Sequence, residues 1–70
     1  MVKIDRNIRK AMKLLREGKA IYLSGKRITN VKDDIFDIAY TYNGENNRIR
    51  RSGRWVRNFI KNDYLAEIYM

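Results

Sequence analysis

The chain has 70 residues with no Cys and no His, and its sixteen Lys and Arg outnumber eight Asp and Glu for a formal charge of +8. Missing thiols and imidazoles exclude disulfides, the usual zinc ligand sets and the commonest general base. What remains is one domain, 1–70, whose small size lets folding remove only about 60% of the unfolded surface from water, so support comes from packing, self-association or a partner.

A hydrophobic content of 44% with eight aromatics argues for a packed fold and against disorder. No segment reaches the ~18 apolar residues of a membrane span, and the N-terminus has no apolar run of signal-peptide length. A cytoplasmic protein without a membrane partner is expected.

The first element reads as a helix from Asp5 to Glu17. Ile4, Ile8, Ala11, Met12 and Leu15 recur at helical spacing, Asp5 stands as N-cap, and Gly18 follows as the residue past the C-cap. Lys19–Ser24 then alternates as a strand, with Ile21 and Leu23 on one face and Ala20 and Tyr22 on the other. Ser24-Gly25-Lys26 is a turn leading into a second strand, Arg27–Lys32. Asp33-Asp34 marks the next turn. Ile35–Tyr42 is the clearest strand, setting Phe36, Ile38, Tyr40 and Tyr42 opposite Asp37, Ala39 and Thr41.

Asn43-Gly44 opens a polar loop through Asn47, and Arg48–Arg51 reads as a short fourth strand anchored by Ile49. Ser52 caps a short helix, Gly53–Asn62, with Trp55, Val56, Phe59 and Ile60 on its inner side. Tyr64–Tyr69 closes the chain as a strand. The expected fold is α+β, a small antiparallel sheet of four to five strands with an N-terminal helix packed on it and a short helix before the last strand.

The charge is unevenly placed. Residues 1–32 hold ten cations and two acids, residues 33–47 hold four acids and no cation, and residues 48–61 hold six cations and no acid. Such a field attracts polyanions. On the first helix Arg6, Arg9, Lys13 and Arg16 fall on one side, where they match a phosphate backbone. The ordinary alternative is a solvated face, but such faces mix signs through i,i+4 pairs, and here the acids stand only at the ends.

The run from Arg48 to Arg57 contains Arg48, Arg50, Arg51, Arg54 and Arg57 with Trp55 among them. Arginine's planar fork suits phosphate and guanine edges, Trp55 offers a stacking surface, and a helix N-terminus near Ser52-Gly53 adds N–H donors for an anion. Against this, Trp55 is better explained as packing beside Val56 and Phe59, and charged residues also protect a strand edge from aggregation. The five tyrosines allow a stacking platform, although most are more simply residues at the boundary of the core.

Asp33, Asp34, Asp37 and Glu45, with Lys32 adjacent, raise Mg²⁺-dependent phosphodiester cleavage as a third and weaker reading, without a spacing that supports it. Ser24-Gly25-Lys26 lacks the upstream glycine and following helix of a phosphate loop. The segments LLREGKAIYL and FDIAYTYNGENNRIRRSGRWV resemble the N-terminal part of SWIM-type zinc modules. The Cys and His ligands of that family are absent here, so neither zinc nor its function carries over.

The favoured reading is a small basic protein that binds nucleic acid without catalysis, needs no cofactor or metal, and contacts phosphates through the first helix and Arg48–Arg57 with weak sequence selectivity. The alternative is an accessory or inhibitor protein, of the kind carried by phages, viruses or plasmids, that docks on an acidic protein surface. The tyrosine-rich strands and small core also allow a homodimer. Nothing in the sequence separates DNA from RNA, or single from double strands.

Overall fold

The computed structural model describes residues 2–4, 7–62 and 68–70. Its elements are β1 (Lys3–Ile4), α1 (Ile8–Arg16), β2 (Ile21–Leu23), β3 (Lys26–Lys32), β4 (Ile35–Tyr42), β5 (Glu45–Ser52), α2 (Gly53–Asn62) and β6 (Ile68–Tyr69). The strands form one antiparallel sheet in the order β1-β6-β2-β3-β4-β5. The α+β class and the placement of both helices are as expected, and the sheet has six strands among the described residues where four to five were anticipated.

The differences are local. The first helix begins at Ile8, capped by Asn7, whose side chain accepts from the Lys10 N–H at 3.2 Å. Asp5, expected as the cap, lies outside the described residues, as do 64–67 of the last strand. The end of α1 is as read from the sequence. The Gly18 N–H donates to Leu15 O at 3.0 Å and the Lys19 N–H to Leu14 O at 3.1 Å, the paired bonds of a Schellman cap.

The expected loop after Asn43-Gly44 is instead a two-residue turn. Both residues have positive φ, 51° and 78°, so Tyr42 pairs directly with Glu45 and β5 extends back to the turn. Ser24-Gly25 makes the same kind of turn between β2 and β3. At the third turn the register slips between Asn30 and Lys32. Val31 is left outward, and the Asn30 side-chain amide donates to Asp33 O and Ile35 O, both at 3.0 Å.

One sheet face is the core. Ile21, Ile28, Ile38 and Ile49 lie in a row across β2 to β5, and Ile4, Ile68 and Leu23 in a second row across β1, β6 and β2. Phe36 joins them, and Ala11, Met12 and Leu15 of α1 with Val56 and Ile60 of α2 cover them. α1 packs over β2 and β3, α2 over β4 and β5, and the helices touch each other. No described helix packs on the opposite face. No described helix is long and apolar enough to cross a membrane.

Candidate nucleic-acid interface

The two basic blocks of the sequence meet where α1 and α2 lie side by side. Arg9, Lys13 and Arg16 of α1 and Arg57 of α2 line a groove floored by Ile8 and Met12, with Glu17 at one end. A second recess, lined by Arg16, Arg54, Arg57, Asn58, Gly53 and Asp34, adjoins it and shares Arg16 and Arg57. All five cations are exposed. Steps of three and four residues put the α1 cations on one side, and the sheet order, which sets β3 beside β4, brings α2 alongside.

The Arg48–Arg57 run does not form one surface. Within β5 the side chains alternate, so Arg48 and Arg50 leave on the sheet face without helices while Ile49 and Arg51 leave on the helix side. Arg51 sits 5.7 Å from the centroid of the Trp55 ring. Trp55 stacks on Phe59 at 5.4 Å with an interplanar angle of 16°, and Lys26 lies 5.3 Å from the Phe59 centroid. Trp55 is half-buried with these neighbours, which supports packing as its role. Arg6 lies outside the described residues.

The N-terminus of α2 is already occupied by the chain's own acceptors. Asp34 Oδ1 accepts from the Gly53 N–H at 3.1 Å and Ser52 Oγ from the Trp55 N–H at 3.3 Å. Two of the donors expected to hold a ligand anion there thus have partners within the protein. Asp37 accepts from Arg48 Nε at 2.9 Å and also from its Nη2. That carboxylate is 7% exposed whereas the arginine side chain is 73% exposed, so Arg48 forms a lid over a buried charge. Among the described residues no three Asp or Glu come together to hold a metal ion. Two of the acids have other roles: Asp34 holds a helix end and Asp37 a cross-strand arginine.

A further cationic surface was not evident from the sequence. On the sheet face without helices, Lys3, Tyr69, Tyr22, Arg27, Ala39 and Arg48 are successive cross-strand neighbours across all six strands. Thr29, Asp37 and Arg50 form the adjacent row. Alternation within β2 and β3 signals that Tyr22 and Arg27 point away from the core. The pairing of Tyr22 with Tyr69 needs the strand order, which no local pattern encodes.

The chain matches no protein-family model, no curated protein and no solved structure. The resemblance to SWIM-type modules therefore adds no assignment.

Proposed function

We propose that this protein binds nucleic acid without catalysis, through phosphate contacts made along α1 and α2. The observation that carries this reading is the convergence of Arg9, Lys13, Arg16, Arg54 and Arg57, from two separate basic blocks, on two adjoining recesses that share Arg16 and Arg57. Exposed cations set along a groove suit a ridge of phosphates, and contacts of this type position a backbone without reading its sequence. Glu17 and Asp34 at the margins leave the balance strongly positive. A cytoplasmic setting goes with this reading.

The apolar floor of Ile8 and Met12 favours a second reading, a protein partner that lays an acidic, partly apolar segment into the same groove. Binding to oligonucleotides separates the two. Fluorescence anisotropy with labelled single- and double-stranded oligonucleotides, between about 50 and 200 mM salt, should give a log K against log [salt] slope near −0.9 for each phosphate neutralised on duplex DNA. Replacing Arg9, Lys13, Arg16 and Arg57 with Gln should weaken binding and flatten that slope by up to about four units. No binding at the low-salt end would overturn the nucleic-acid reading and leave the protein-partner one.

A further inference from the structure

We infer that the open face of the sheet is a second nucleic-acid surface, specific for an unpaired strand, with bases stacking on Tyr22 and Tyr69 and phosphates held by Arg27 and Arg50. The inference rests on the nucleic-acid reading but concerns the opposite side of the molecule from the helix groove.

Tyr22 and Tyr69 are direct cross-strand partners on β2 and β6, both inside the sheet, which sets their Cβ atoms about 5 Å apart. Both are half-buried, and no described helix lies over them. Arg27, paired with Tyr22, donates from Nε to the Tyr22 hydroxyl at 3.3 Å and fixes the ring beside its own guanidinium. Next in the row, Ala39 leaves a gap between Arg27 and Arg48.

Charge selects the occupant. Among the described residues of these rows, Arg27, Arg48 and Arg50 face one carboxylate, Asp37, which is buried under Arg48. A polyanion is therefore the partner such a face fits. Two neighbouring aromatic rings within a cationic row add a preference that phosphate alone does not use, since a duplex presents its backbone and keeps its bases stacked inside. An unpaired strand offers both phosphates and the flat faces of its bases.

The test compares a short labelled homopolymer, an abasic strand of equal length and a matched duplex, by anisotropy at low salt. Tyr22→Leu and Tyr69→Leu keep apolar bulk at each position but remove the ring, whereas Tyr22→Phe keeps the ring and removes only the hydroxyl. The Leu variants should each weaken homopolymer binding by about five- to one-hundredfold, the range for losing one base–aromatic stack. They should leave the abasic strand and the duplex within about twofold of the unsubstituted protein, and Tyr22→Phe should bind the homopolymer nearly as well as the unsubstituted protein. Circular dichroism checks that each variant folds. Should a Leu variant not fold, Arg27→Gln and Arg50→Gln take its place and should weaken homopolymer binding more than duplex binding. Homopolymer affinity unmoved by the substitutions, reduced by a Leu variant equally for the abasic strand, or reduced by the Arg variants equally for the duplex, overturns the inference and leaves the groove reading standing. Failure of the unsubstituted protein to bind any of the three overturns both.

Discussion

Gly53 stands where a side chain does not fit. A Cβ built there would collide with Asp34 Oδ1 and approach Phe36 Cε1 to 3.2 Å, and Phe36 is fully buried. From the sequence, Gly53 is ambiguous, because a missing side chain serves flexibility and close packing equally. Here it serves packing, bringing the first turn of α2 onto the β3–β4 turn so that Asp34 can accept from the Gly53 N–H. Gly53→Ala should destabilise the protein by about 1–3 kcal/mol, as overpacking does, read as a lower denaturation midpoint with an unchanged denaturant slope. The arginines of β5 allow a second residue-scale prediction. Arg48 is already paired with Asp37 while Arg50 faces Asp37 from across the strand pair. Arg50→Gln should therefore reduce single-strand affinity more than Arg48→Gln. Arg48→Ala should cost less than about 1 kcal/mol of stability, because water reaches Asp37 once its lid is removed. Equal losses of affinity from Arg48→Gln and Arg50→Gln would count against this ordering.

At the scale of elements, period and punctuation were legible and adjacency was not. The alternation in Ile35–Tyr42 gave the correct faces because Phe36 and Ile38 are buried in the core on one side of β4, and the Gly18 cap was readable because its geometry is local. β1 escaped notice since two residues carry no period; Lys3–Ile4 is a strand only because β6 returns to pair with it. The first half of β5, Glu45-Asn46-Asn47, has no apolar residue and is held as strand by the tight turn and by pairing with β4. The same division governs the candidate site. The side of α1 that carries Arg9, Lys13 and Arg16 followed from spacing, but their meeting with Arg57 depends on how the sheet is ordered. As the sheet's edge, β5 also explains some of its arginines without any ligand, since edge-to-edge pairing of two copies would gather six of them. α1 is fixed to the sheet by its apolar stripe, in which Leu15 is fully buried. Leu15→Ala should cost about 2–5 kcal/mol, much of the stability of a domain this small, and an unchanged denaturation midpoint would contradict this packing.

At the scale of the molecule, the charge of +8 has two consequences that salt pulls in opposite directions. Like charges crowded into a compact body repel one another and lower its stability, so added salt should raise the melting temperature by screening them. A polyanion should raise it further and by another route. Binding the folded chain in preference to the unfolded one stabilises by RT ln(1 + [L]/Kd), about 2.7 kcal/mol when the ligand is at one hundred times its Kd. For a domain of this length each kcal/mol moves the midpoint by about 4–8 °C, so saturating oligonucleotide at low salt should shift melting by more than about 10 °C. Salt should then remove that shift while it raises the baseline, because it competes for the phosphate contacts that produce it. Thermal melts with and without a short oligonucleotide, at about 50 and 200 mM salt, read both effects in one experiment. A ligand shift of similar size at both salt concentrations would mean that binding does not run through charge, and would count against the groove formed by α1 and α2.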